Sequence, residues 1–147
     1  MTRQDWVRSF AHRSLRGAAG YCDCRHLRLD VEIPLAPQEM LVGVYFNSKI
    51  EILDAIGISD CGLHINARMT WRFVAYEDIR DLQLPAKIKE PPFLPAYLDI
   101  VLQDHETIRL TIQGRSGEES QFSDVYCIEA FLAGMSRVVG PDTNPAS

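Results

Sequence analysis

Between Leu41 and Gln113 the chain shows seven short apolar or alternating stretches separated by turn residues, and from Gln121 to Val138 the apolar spacing changes to three-four. Period-two alternation predicts half-buried strands, and three-four spacing predicts one face of a helix. The strand stretches are Leu41–Phe46, Glu51–Ser59, Leu63–Ala67, Trp71–Ala75, Arg80–Leu84, Tyr97–Gln103 and Thr107–Gln113. Asp60-Cys61-Gly62 and Asp104-His105-Glu106 form turns, Tyr76–Ile79 a short helical corner, and Pro91, Pro92 and Pro95 a loop that cannot supply ladder donors. Gly62 is expected to take a positive φ, and Trp71 and Phe73 alternate with Arg72 so as to give one buried and one wet face. The helix carries Phe122, Val125, Ile128, Phe131, Leu132, Met135, Val138 and Val139 as a core stripe. Ser120 or Ser123 is its expected cap and Gly140-Pro141 its stop.

Before Leu41 the pattern differs. From Asp5 to Ala19, Trp6, Val7, Phe10, Ala11, Leu15, Ala18 and Ala19 recur at helical spacing, with Arg3, Arg8, His12, Arg13 and Arg16 largely elsewhere on the wheel; Gly17 or Gly20 ends this amphipathic helix. Tyr21–Ile33 alternates as a strand, and Pro34 and Pro37 then make 34–39 a linker. Residues 1–39 are too short to bury a core alone and read as an extension, followed by a main domain over 40–140 and a frayed, disordered tail over 141–147. The predicted fold is α+β and mainly β: a seven-stranded curled antiparallel sheet, or partly open barrel, plugged by the C-terminal helix.

Composition adds bounds. A chain of 147 residues, 46% hydrophobic and 24% charged, suits one globular domain; it lacks the long apolar run of a membrane span, and Trp6, Arg8, His12 and Arg13 interrupt any secretory core, so the cytoplasm is the expected location. Charge is uneven. Residues 1–28 hold six arginines against Asp5 and Asp23, a net +4 that leaves −9 on the remainder of a chain of net −5. Such an acidic body argues against nucleic acid as partner. The basic helix can dock on that body, on an anionic surface or on a partner chain, with Trp6, Arg8, Phe10, Arg13 and Arg16 as the contact residues.

Cys22, Cys24, Cys61 and Cys127 are too few and too irregular for a disulfide framework. Cys22, Cys24 and His26 lack a second ligand pair at a zinc spacing, so no metal is assigned, and no cofactor motif appears elsewhere. His12, His26, His64 and His105 sit beside no recognisable nucleophile and read as exposed, with His64 on the wet face of its strand. Asp99, Asp104 and Glu106 match no calcium loop, Glu77-Asp78 reads as a solvated turn, and Gly114-Arg115-Ser116-Gly117 lacks the lysine and spacing of a phosphate loop. No catalytic residue is assigned.

Two segments carry a family likeness. Ile58-Ser59-Asp60-Cys61-Gly62-Leu63-His64-Ile65 resembles the second-to-third-strand turn, and Trp71-Arg72-Phe73-Val74-Ala75-Tyr76-Glu77-Asp78-Ile79 the fourth strand and following corner, of the pleckstrin-homology-like superfamily, especially its small bacterial and GRAM-type members. Tyr97–Leu102, Thr107–Gln113 and Gln121–Met135 are similar to its sixth strand, seventh strand and plugging helix. The resemblance implies headgroup recognition near the loop between the first two strands, here Asn47-Ser48-Lys49, with Arg68 and Arg72 the nearest other cations. That is thinner than a phosphoinositide-binding motif, so Lys49, Arg68 and Arg72 are at most a small anion site. The expected function is a non-enzymatic binding or scaffolding module that works through protein contacts, with homo-oligomerisation as one form. The alternative is peripheral membrane or anionic-ligand binding through the basic helix.

Overall fold

A capping box spanning Thr2 to Asp5 starts the chain's first helix. Thr2 Oγ1 accepts from the Asp5 amide at 3.1 Å while the Asp5 carboxylate reaches back to Thr2, satisfying donors that a helix start leaves unpaired. In the computed structural model, which describes residues 2–18, 20–24, 32–47, 55–67, 70–84, 96–112 and 118–139, this helix is α1 (Arg3–Leu15). It is followed by β1 (Tyr21–Asp23), β2 (Leu41–Tyr45), β3 (Ile56–Ser59), β4 (Gly62–Ala67), β5 (Thr70–Ala75), a 3-10 turn (Tyr76–Asp78), β6 (Ile79–Gln83), β7 (Ala96–Leu102), β8 (Thr107–Ile112) and α2 (Glu118–Val139).

The strands form two antiparallel sheets, β1-β2-β3-β4-β5 and β6-β7-β8, so the fold is α+β and mainly β. Two expectations change here. The described strands do not close into one seven-stranded barrel, and β1 belongs to the first sheet, pairing Cys22 with Val44. The C-terminal helix begins at Glu118, so Ser120 and Ser123 lie inside its first turns and neither caps it. Gly140 and the tail from 141 lie outside the described residues, as do most of the predicted Tyr21–Ile33 strand, residues 51–54 of the second predicted strand and the proline loop.

One core joins these parts. Val7, Ala11 and Leu15 of α1 meet Val42 and Tyr45 of β2, Ile58, Leu63 and Val74 of the same sheet, Leu98, Ile100, Leu110 and Ile112 of the other, and Val125, Ile128, Phe131, Leu132 and Met135 of α2. The two helices touch closely where Phe10 lies over Gly134: a Cβ there would come within 2.3 Å of the Phe10 ring. Tyr76 and Ile79 pin the corner between the sheets. The Tyr76 hydroxyl donates to the Ser59 carbonyl at 2.7 Å, and its ring meets Phe131 edge-on at 5.9 Å between centroids.

The faces of the first sheet depart from the sequence reading. Cross-strand register aligns Cys22, Val44, Gly57, His64 and Phe73 in one row on the outer side, while Gly43, Ile58, Leu63 and Val74 face the core. Val74, not Trp71 or Phe73, is therefore the buried residue of β5; Trp71 is half-buried and Phe73 is 47% exposed. His64 does lie on the outer face, yet it is 3% exposed, because residues 32–40 cross that face and cover it. A second small cluster of Val44, Phe46 and Ala55, with Cys22, Ile33 and Leu41 against it, fills the space beneath.

Gly62 is required for a different reason from the expected positive φ. It pairs with Ala75 where β4 begins and β5 ends, and an added Cβ would lie 2.2 Å from the Val74 carbonyl oxygen and 2.9 Å from the Ala75 Cα. Those are backbone atoms that cannot rotate away. Gly62→Ala is expected to cost about 1–3 kcal/mol, the range for forcing atoms into a packed site, as a lower urea midpoint with an unchanged m-value.

Candidate functional site

A densely connected polar cluster lies where residues 32–40 meet the β3–β4 turn. Pro34 and Pro37 keep this segment out of regular structure, and a small turn at its end, with the Glu39 amide donating to the Ala36 carbonyl at 3.0 Å, aims the Glu39 side chain at the sheet. There its carboxylate accepts from the Ser59 hydroxyl, from His64 Nε2 at 2.7 Å and from the Ala36 amide at 2.9 Å. Glu39 and His64 side chains are each 3% exposed. Ser59 Oγ in turn accepts from the amides of Cys61 and Gly62, both at 3.1 Å, so the hydroxyl is spent on the turn as well as on Glu39. Next to this cluster, Asp60 and Met40 exchange two bonds, Met40 N–H to Asp60 Oδ1 at 2.7 Å and Asp60 N–H to Met40 O at 3.1 Å.

Burial alone would push the Glu39 carboxyl up; its donors, Ser59, the Ala36 amide and His64, outweigh that and hold it below its ordinary value. Burial pushes the Cys61 thiol up, and the Asp60 and Glu39 charges act in the same direction, which makes it a poor nucleophile. Serine-based catalysis needs an imidazole at the hydroxyl that can take its proton. In this cluster the carboxylate stands between Ser59 and His64, and Ser59 is fully buried, so the arrangement ties chain segments together rather than activating an oxygen. His64 Nδ1 is buried with no hydrogen-bond partner, and its ring lies 4.8 Å from that of Phe73.

The described members of the predicted contact set are engaged in different parts of the fold. Lys49 and Arg68 lie outside the described residues. Arg72 has the inner-face parity of β5, opposite Ile65, and reaches across to the β7–β8 turn, where it forms a two-point ion pair with Glu106, 2.7 Å at the first contact; its guanidinium is engaged by that carboxylate. On α1, Trp6 and Phe10 stack at 5.3 Å and Phe10 packs against Phe131 at 5.6 Å, so both rings serve the helix–helix contact. Arg8 reaches Met40 Sδ at 3.3 Å, Arg13 lies over the Phe10 ring at 5.9 Å, and Arg13 and Arg16 are exposed. Cys22 and Cys24 are half-buried, and His26 lies outside the described residues. Among the described residues no three His, Cys, Asp or Glu side chains converge as metal ligands would.

A further buried carboxylate is that of Asp124. Fully enclosed on α2, it accepts from the Tyr45 hydroxyl at 2.7 Å and from the Gly20 amide at 3.4 Å, joining α2 to the segment between α1 and β1 and to β2. Neither Asp124 nor the Glu39–Ser59–His64 cluster was singled out from the sequence. The remaining surface feature is β5, an edge of the first sheet, whose Phe73 is the most exposed of the described large hydrophobic residues, ahead of Tyr126, Leu35 and Leu84. Among the described residues, no helix is long and apolar enough to cross a membrane.

Comparison with protein-family models, with curated proteins and with solved structures finds no match to this chain. The pleckstrin-homology-like resemblance therefore rests on the strand and helix pattern.

Removing the Glu39 carboxylate leaves a hydroxyl and an imidazole buried without their acceptor, so Glu39→Ala is expected to cost about 2 kcal/mol in urea unfolding. The pH dependence has a definite sign. A carboxyl held below its unfolded value, 4.5, stabilises the fold above that value and loses the contribution as pH falls through the lowered folded one. Below about pH 4.5 the wild-type urea midpoint should therefore fall more steeply than that of Glu39→Gln, with the two curves parallel near neutrality.

Proposed function

We propose that this chain is a non-enzymatic binding module of the pleckstrin-homology-like kind, and that it works through protein contacts, first of all with a second copy of itself along β5. Strands β2 to β8 followed by α2 come in the order the resemblance implies, and the placing of α2 residues in the same core as both sheets supports a curled sheet plugged by its last helix. The observation that carries the contact is the state of β5. Among the described residues it pairs only with β4, and it presents a 47% exposed Phe73 beside a half-buried Trp71. Backbone groups on such an edge are a template for another strand, and aromatic cross-strand pairs add about 0.2–1 kcal/mol each.

An antiparallel pairing of two β5 strands about Phe73 puts the two Phe73 rings opposite one another and Arg72 opposite Val74, so the two Arg72 charges are not brought face to face. The same patch on both copies gives a closed dimer. Basic-helix binding to a membrane draws no support from α1, whose Trp6 and Phe10 are packed toward α2.

Light scattering of the full chain over a concentration series tests the reading. The full chain is needed because Val7, Ala11 and Leu15 belong to the core. A dimer that Phe73→Lys converts to a monomer, without change in the circular dichroism spectrum, is the expected result. A monomer at every concentration up to several hundred micromolar, or a dimer indifferent to Phe73→Lys, overturns it.

A further inference from the structure

Residues 32–40 lie over a sheet face that is apolar beneath them, and they are held mainly at their two ends. At one end the Ile33 side chain fills the space above Gly57, where an added Cβ would come within 2.9 Å of Ile33 Cδ1. At the other, the Glu39 carboxylate is seated on Ser59 and His64, and Met40 is paired to Asp60. Between these points Pro34, Leu35, Ala36, Pro37 and Gln38 are all exposed. Hydrogen bonds in this stretch close largely on the segment itself, Leu35 N–H to Ile33 O at 2.8 Å and Ala36 N–H to the Glu39 carboxylate, with one outside contact from Gln4 Nε2 to Gln38 O at 3.3 Å. A segment so attached meets the physical description of a unit that opens locally: few buried contacts along its length and an exposed backbone.

We propose that residues 32–40 are a releasable strap, latched by the seating of the Glu39 carboxylate on Ser59 and His64, whose opening uncovers the outer row Val44, Gly57 and His64 next to the already exposed Phe73. The latch is a two-state contact by its chemistry. A carboxylate 3% exposed is tolerated only while its donors are in place, and the same donors are buried without an acceptor once it leaves, so partial withdrawal is disfavoured relative to closure or full release into water. His64 Nδ1, buried and unpartnered beneath the strap, regains a water partner on opening, which lowers the cost of release. The strap thus acts as a cover for the sheet face, separable from the fold it covers. It stands independently of the self-pairing of β5, because it concerns a contact within one chain.

Native-state amide hydrogen exchange of the full chain tests it, following the Ala36, Glu39 and Met40 amides against those of Ile58 and Leu63 in β3 and β4. The strap amides are expected to exchange at least about 100-fold faster than the sheet amides, at rates insensitive to low urea, as local opening requires. Glu39→Gln should accelerate the strap amides about tenfold or more, still at rates insensitive to low urea. Strap amides that share the rate and urea dependence of Ile58 and Leu63 in the wild-type chain overturn the proposal, and so do strap amides that keep the wild-type rate in Glu39→Gln. The wild-type comparison decides the matter even if the variant is poorly folded, and strap exchange is read without reference to whether the chain dimerises.

Discussion

A sheet that is apolar on both faces must be covered twice, and the architecture follows from meeting that requirement in 147 residues. In β2 the last four residues are buried, and in β3 all four are, so neither strand has a wet side. On the inner side the cover is the common core built from α1, α2 and the second sheet. On the outer side it is a strap of nine residues with two prolines, which covers mainly by side chains, Ile33 for the apolar ground and Glu39 for the polar turn.

Buried carboxylates fix how these covers are aligned. An apolar surface is non-directional and would accept the strap or α2 at several offsets. Glu39 removes that freedom on one side because only one position supplies Ser59, His64 and its own Ala36 amide together. Asp124 does the same on the other side, where Tyr45 and Gly20 fix α2 against β2 and the segment leading into β1. Each must stay fully hydrogen-bonded to be tolerated, so each converts loose packing into a defined register.

This division explains what could be read from the residues. Element type and order followed from period: the β7–β8 hairpin, the Tyr76–Ile79 corner and the α2 stripe lie where alternation and three-four spacing put them, with ends displaced by a few residues. Face assignment did not follow, because alternation separates two sides without saying which is covered. His64 has the parity of an outer residue and was read as wet, when the outer face is closed by the very segment read as a linker. A signal was present in the near-continuous apolar runs Leu41–Phe46 and Ala55–Ile58, which mark strands buried on both sides. The Glu39–Ser59–His64 cluster spans 25 positions and depends on that closure, so no local spacing announces it.

The same geometry accounts for the exposure of β5. Sheet edges in natural proteins are blunted by charge or proline directed at the open side. Among Thr70, Trp71, Arg72, Phe73, Val74 and Ala75 the sole charge is Arg72, and its register position, opposite Ile65 on the core side, turns it away from the outer face toward Glu106. The charge that could protect the edge is instead used to bridge the two sheets where they diverge. Phe73 is then left at the end of the row that the strap covers only in part, with His64 on one side and the open edge on the other. Among the described residues, an edge so arranged keeps its backbone groups and an exposed aromatic side chain available together, which is the combination that strand addition requires.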